Sequence, residues 1–230
     1  MAVMDSIDIL AFGAHPDDLE FGCGGILARA ASEGKSIVMV DLTRGQKGTY
    51  GTPEKRQKEG DASSAVIKAI RVFLNFTDCE VFDTYEGRLE LVKVIRKYKP
   101  KLVLAPYWKG EQTHPDHMAC GVMARYACRY ARFKNLLPKL PIHWPEGILH
   151  YGNVMQPDFL IDVSSHIENW KKMMAAHESQ HTANNYSDWV LKRAACLGVG
   201  IRVEYAQGLT KGNPVAIADI MTIAKTSREI

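Results

Sequence analysis

Four apolar runs separated by amphipathic stretches set the pattern of the first half of the chain. Ile7–Ala14 and Ser36–Leu42 are short and almost continuously apolar, which suits strands buried on both faces of a parallel sheet. Val72–Asn75 and Leu102–Pro106 predict a third and a fourth strand. Between the first two, Leu19–Glu33 spaces apolar and small residues at helical intervals and stops at Gly34. Thr43–Gly51 is a glycine-rich loop, after which Thr52 and Pro53 serve as N-cap and first residue of a helix through Ile70. A helix over Glu86–Tyr98 is stopped by Pro100, and another runs from about Pro115 to Arg132.

The last third is less regular. Asn135–Pro145, with three prolines, reads as a loop, and Gly147–Tyr151 and Phe159–Val163 read as strands. Ser164 or Ser165 caps a helix to about His177, and Tyr186–Leu197 is another. Strand–helix alternation four times over predicts an α/β fold. The sheet is expected to be Rossmann-like and mostly parallel, with helices on both faces and order 3-2-1-4-5, extended by C-terminal strands and helices. No repeat or linker divides the chain, so residues 1–230 are expected to form one domain.

With 29 basic and 26 acidic residues, the net charge of +3 is too weak to imply a nucleic-acid partner. Lys97–Lys101 and Arg125–Lys134 read as solvated helix faces and strand starts. The five cysteines (Cys23, Cys79, Cys120, Cys128, Cys196) contain no CxxC pair, which suits reduced thiols. The start Met1–Asp5 lacks a basic n-region, and no run reaches the ~18 apolar residues of a membrane span. A cytoplasmic enzyme with no membrane partner is the expectation.

Candidate chemistry lies at the ends of the first and fourth strands. Ala14-His15-Pro16-Asp17-Asp18 follows one, and His114-Pro115-Asp116-His117 follows the other. In the expected sheet order these strands are neighbours at the point where winding reverses, so both motifs reach one crevice. Adjacent carboxylates at a buried strand end repel unless something positive offsets them, and a divalent metal would do so. Two imidazoles and a carboxylate make a three-ligand zinc site with one open position. The spacing lets His15 and Asp18 ligate across one tight turn, leaving Asp17 to face water. Helical spacing lets one imidazole of the second motif ligate while the other points at substrate.

Two further readings bear on the crevice. Gly22, Gly24 and Gly25 after the first strand, with Asp41 ending the second, raise a nucleotide-binding alternative. The glycines, however, fall inside the helix, and Asp17, Asp18 and Glu20 occupy the place where a pyrophosphate would sit; close helix–sheet packing explains them better. Arg44, Lys47 and Arg56 lie on or after the loop beyond the second strand. Arg56 is the best placed of the three to grip an oxygen-rich substrate, and Tyr50, Tyr107 and Trp108 could wall the pocket.

The run from Ala14 to Gly25 together with His114–His117 resembles the signature of the LmbE-like, or PIG-L, N-acetylglucosamine deacetylases. Asp41–Gly45, Gly48–Thr52, Arg56, Asp158–Val163 and His177-Glu178-Ser179-Gln180 are most similar to the branch that deacetylates N-acetylglucosaminyl-malate in bacillithiol biosynthesis. The resemblance implies a zinc-dependent hydrolase with His15, Asp18 and His117 as metal ligands and Asp17 as general base. It implies that His114 stabilises the oxyanion or protonates the leaving amine, oriented by Asp116, and that Arg56 binds substrate. Gln112 stands where some relatives carry a tyrosine. The same ligand set also accepts Fe(II). The substrate would be a small N-acetylglucosaminide and the protein a homo-oligomer. The alternatives are an amidase acting on sugar–thiol conjugates and a non-catalytic, metal-dependent carbohydrate-binding protein.

Overall fold

The computed structural model describes residues 6–109, 114–152, 156–180, 186–217, 219 and 221. Its centre is a seven-stranded sheet of order β3-β2-β1-β4-β5-β7-β6. The strands are β1 (Ile7–Gly13), β2 (Ile37–Asp41), β3 (Ile70–Phe73), β4 (Pro100–Pro106), β5 (Gly147–Tyr151), β6 (Phe159–Asp162) and β7 (Ala206–Lys211). β1 to β5 are parallel, as the alternation predicts, and β7 runs antiparallel between β5 and β6. Register pairs Gly13 with Asp41 and Ala11 with Leu104, so β1 and β4 end side by side.

The helices are α1 (Asp18–Ser32), α2 (Pro53–Val66), α3 (Tyr85–Tyr98), α4 (Pro115–Tyr130), α5 (Ile167–Ala176, entered through a 3₁₀ turn at Ser164–His166) and α6 (Tyr186–Ile201). They bury two separate cores. On one face Leu19, Leu27, Trp170, Met173 and Val190 bring α1, α5 and α6 onto the sheet. On the other, Leu91, Ile95, Cys120 and Met123 do the same for α3 and α4. Among the described residues no helix is long and apolar enough to cross a membrane.

Several elements differ from the sequence reading, β4 among them, which begins at Pro100 rather than Leu102. The helix expected through Ile70 ends at Val66, because Lys68 turns left-handed at φ +56° and the Ala69 N–H closes back on the Ser64 carbonyl. β3 therefore begins at Ile70 rather than Val72. β7 carries no strand signature; Gln207, Gly208 and Thr210 are tolerated because β5 and β6 flank it.

The glycines of α1 do set close packing. A Cβ at Gly22 would lie 2.4 Å from the Tyr151 ring, and one at Gly24 2.7 Å from Trp170. Tyr151 is held there by its hydroxyl, which donates to the Phe12 carbonyl at 2.8 Å. The nucleotide alternative also loses its acid: Asp41 is fully buried and accepts a bidentate pair from Arg71 at 2.7 and 2.9 Å.

Candidate functional site

β1 is buried at every position but Asp8 and delivers the chain to a tight turn, Ala14–Asp17, before α1 starts. The Asp18 carboxylate closes this turn: its Oδ2 accepts the Ala14 and His15 N–H groups, both at 2.8 Å. The second oxygen, Oδ1, lies 2.9 Å from His117 Nε2. β4 delivers the second motif in the same way. His114 is the N-cap of α4, Pro115 occupies the first turn, and His117 follows one turn in.

The two turns bring His15 Nδ1 to 3.2 Å from His117 Nε2, with Asp18 Oδ2 3.6 Å from the former. Two ring nitrogens converging beside a carboxylate is a donor set that suits a zinc-type cation. The opposite nitrogen of His15, Nε2, lies 3.1 Å from both Asp78 Oδ1 and Asp116 Oδ2. Those carboxylates are buried, and backbone N–H groups pin them: Lys47 on Asp78 at 2.8 Å, Cys79 on Asp116 at 2.8 Å. They hold the proton of His15 on Nε2 and leave the Nδ1 lone pair free to ligate. Burial opposes a charge on His15, yet Asp18 and Asp78 push it up to about 11, a demand for positive charge that a cation at Nδ1 meets. His114 is also within ligating reach of His15 and His117. The Asp18 carboxylate lies deeper than His114, and backbone N–H groups aim its Oδ2 while Oδ1 faces His117.

His114 sits on the exposed side, with ring centroids 5.0 Å from His15 and 5.3 Å from His117. Its Nδ1 accepts the Asp116 N–H at 3.2 Å, so the neutral ring carries its proton on Nε2. Burial, with His15 and His117 adding, lowers its pKa and keeps it neutral. The resemblance has Asp116 orient His114. The Asp116 backbone N–H faces His114 Nδ1, whereas its carboxylate faces His15, because the first turn of α4 points that side chain inward. Gln112 lies outside the described residues.

Asp17 is the strained point of the site. Its backbone adopts φ +124°, ψ −24°, a conformation whose strain is on the order of 1–3 kcal/mol for a non-glycine residue. Its side chain is 15% exposed, enough to reach the crevice, and its carboxylate lies 3.4 Å from Arg56 Nη2. Burial pushes its pKa up to about 6, with Arg56 pulling the other way.

Arg56 lies beneath the surface of the crevice. It is 4% exposed, and Nη2 donates to the Pro16 carbonyl at 2.6 Å. The loop from Thr43 to Gly51 closes over it, and Ser179 and Gln180 tie down α2 and that loop respectively. Ser179 donates to Glu59 at 2.7 and 2.9 Å, and Gln180 to the Tyr50 carbonyl at 2.8 Å. His177 Nε2 reaches 3.1 Å from Glu20 beneath. Lys47 is exposed and paired with Glu80, a solvated loop charge. Asp78 is the residue that sequence reasoning misses; it belongs to no motif, and only the three-dimensional approach of the β3–α3 connection brings it to His15.

The chain is 29% identical over 195 residues to the diacetylchitobiose deacetylase of Thermococcus kodakarensis, covering 79% of this chain and 73% of the relative. Its fold matches the crystal structure of the conserved protein TT1542 from Thermus thermophilus with a TM-score of 0.86 and 34% identity, covering 92% of this chain and 97% of that one. The N,N'-diacetylchitobiose deacetylase of Pyrococcus horikoshii, solved with an inhibitor, matches with a TM-score of 0.81 and 26% identity over 89% of this chain and 83% of that one. The family profile described as PIG-L: GlcNAc-PI de-N-acetylase matches residues 10–128, a span that contains both histidine motifs. The protein belongs to the PIG-L deacetylase family.

Proposed function

We propose that this chain is a metal-dependent N-deacetylase that removes the acetyl group from an N-acetylglucosaminide, giving acetate and a free amino sugar. The observation that carries the reading is the convergence of His15 Nδ1, His117 Nε2 and the Asp18 carboxylate. A spare carboxylate, Asp17, and a spare imidazole, His114, stand beside them.

His15, Asp18 and His117 would hold the cation, zinc or iron(II), which when bound lowers the pKa of water to about 7 and polarises a carbonyl. Asp17, ionised near neutrality and kept so by Arg56, takes the proton of the attacking water. His114 donates its Nε2 proton toward the carbonyl oxygen as negative charge develops there. Collapse of the tetrahedral centre breaks the C–N bond, and Asp17 returns the proton to the departing amine. The Asp116 N–H keeps His114 in the tautomer this needs, and Asp78 and Asp116 keep His15 from rotating.

The finer reading is N-acetylglucosaminyl-L-malate, the substrate of bacillithiol biosynthesis. It is supported by the similarity of Asp41–Gly45, Gly48–Thr52 and His177–Gln180 to that branch. Two of the relatives named above act on a chitobiose, so a second N-acetylglucosamine is the competing aglycone. The experiment is acetate release by purified protein from N-acetylglucosaminides bearing malate, inositol or N-acetylglucosamine, with metal content measured on the same sample. Malate is expected to give the highest kcat/KM. A higher value for either of the others removes the branch assignment, and no acetate from any of them, with metal bound, removes the deacetylase reading.

A further inference from the structure

The first turn of α1 is not continuous with the rest of the helix. Cys23, between Gly22 and Gly24, leaves helical geometry at φ −145°, ψ +16°, so residues 18–22 are set off from 24–32 by a kink. An unbroken helix inherits the place of its first turn from the packing of its body. A turn beyond a break needs contacts of its own. Asp17 and Asp18 stand at the head of this one.

Its middle residue, Glu20, supplies those contacts. The side chain is fully buried, and its Oε1 accepts the Ser63 hydroxyl of α2 at 2.6 Å and Arg71 Nη1 of β3. His177, which follows α5, places Nε2 3.1 Å from the same oxygen. The Glu20 carbonyl accepts the indole N–H of Trp170, in α5, at 2.7 Å. Because Arg71 also grips Asp41 at the end of β2, the turn is tied through it to two strands of the sheet. Stability alone does not explain this arrangement, since a buried ion cluster is seldom better for a fold than apolar side chains of like volume. Three side chains crowd one oxygen, while Oε2 has no partner among the described residues. What the cluster does supply is a fixed place for the turn, because charge-assisted bonds to a carboxylate are directional.

We propose that Glu20 is a positioning residue: it pins the detached first turn of α1 to α2, β3 and α5, and so sets where Asp17 and Asp18 stand in the crevice. The inference rests on the roles given above to those two carboxylates. It also gives the C-terminal third of the chain a part in the site, through Trp170 and His177.

The test compares Glu20→Met, Glu20→Gln, Ser63→Ala and Trp170→Phe with the parent, with Asp17→Asn and Asp18→Asn as references. Methionine keeps the length of the side chain and removes its acceptor; glutamine keeps an oxygen for Ser63 and Arg71. Amide hydrogen exchange is followed in metal-free protein at Asp18 and Phe21, in the turn, and at Ile26 and Leu27, in the helix body. The visible spectrum of cobalt(II)-loaded protein, and kcat and KM for acetate release, are measured at full metal occupancy. In Glu20→Met the turn amides should exchange about tenfold faster or more, with Ile26 and Leu27 unchanged. Its cobalt bands should move, and kcat should fall about 10²-fold with KM within about twofold, as for reacting groups displaced by about an ångström. Glu20→Gln should recover most of the kcat and the parent spectrum. Ser63→Ala and Trp170→Phe, each lacking one contact, should show the same changes to a smaller degree, and they decide the matter if Glu20→Met does not fold. Equal acceleration of turn and helix body would make Glu20 an ordinary support of the fold and overturn the proposal. So would raised KM with kcat kept, or a Glu20→Gln enzyme as slow as Glu20→Met, which would make lost charge the cause. If Asp17→Asn retains full kcat and Asp18→Asn binds metal like the parent, the roles of those carboxylates fail and this inference with them. If both references behave as expected while the other four variants match the parent in kcat and spectrum, only this inference fails.

Discussion

Replacing Asp17 and Asp18 by asparagine, one at a time, should separate two adjacent carboxylates by function. Asn at 17 keeps the shape and tolerates positive φ better than most residues. It also removes one of three acids (Asp17, Asp18, Glu20) within four positions, so the fold should be no less stable. What disappears is the proton acceptor, worth about 10²–10⁴ in rate, or roughly 3–5 kcal/mol of barrier. Asp18 is different. Its Oδ2 accepts two backbone N–H groups while Oδ1 faces His117 Nε2. An amide can serve only one of these roles with oxygen. If it keeps the two N–H groups, its NH₂ donates toward His117 where an acceptor is required. Asp18→Asn should therefore lose metal, and the metal-free protein should lose about 1.5–3 kcal/mol, the contribution of a charged hydrogen-bond partner. The assay is zinc titration against a competing chelator, thermal melting with and without metal, and acetate release under saturating zinc. Asp17→Asn is expected to bind zinc like the parent and to be slow at any zinc concentration. Asp18→Asn should recover part of its activity as zinc is raised. Zinc loss by Asp17→Asn with normal binding by Asp18→Asn would reverse the two roles.

Three other outcomes follow from the same structure. Asp78→Asn and Asp116→Asn should each weaken metal binding by about 10–100-fold, read as faster metal loss to a chelator, and unchanged rates would remove the orienting role of both. Gly22→Ala should cost about 1–3 kcal/mol because its methyl must displace the Tyr151 ring, and a melting temperature equal to the parent's would refute the packing argument. Burial pulls His150 down to about 4 from its ordinary 6.5. Between those values the unfolded chain binds a proton that the folded chain does not. Stability complete above pH 6.5 is thus lost as the pH falls toward 4, by at most about 3 kcal/mol. His150→Gln should flatten that part of the curve of melting temperature against pH, and an unaltered slope would sink the assignment.

The parallel sheet was legible because β1, β2 and β4 are largely buried on both faces and therefore carry almost continuous apolar runs. The site was legible to the same degree, since ligand-type residues follow β1 and β4, and sheet order does the rest. Besides Asp78, three things stayed hidden. The stop of α2 rests on Lys68 turning left-handed, where glycine would have announced it. β7 takes its conformation from its neighbours, so its own residues carry little signal. Arg56 was marked as chemistry by its place after a glycine loop, but a linear pattern does not say which way a guanidinium faces. The glycines at 45, 48 and 51 were the available clue, because three missing side chains around one long one imply that the long one is enclosed.

The two layers of helices have one more implication. His15 and Asp18 hang from the β1–α1 turn, on the layer built by α1, α5 and α6; His117 is carried by α4, on the opposite layer with α3. The gap between His15 and His117 is therefore a gauge of how the two layers ride on the sheet. A substitution deep under α3 or α5, in contact with no ligand, would still reach the centre if it slid its layer by a few tenths of an ångström. Metal affinity should then depend in part on core residues far from the crevice, and selection for tighter binding should return hits in both hydrophobic cores as well as in the crevice.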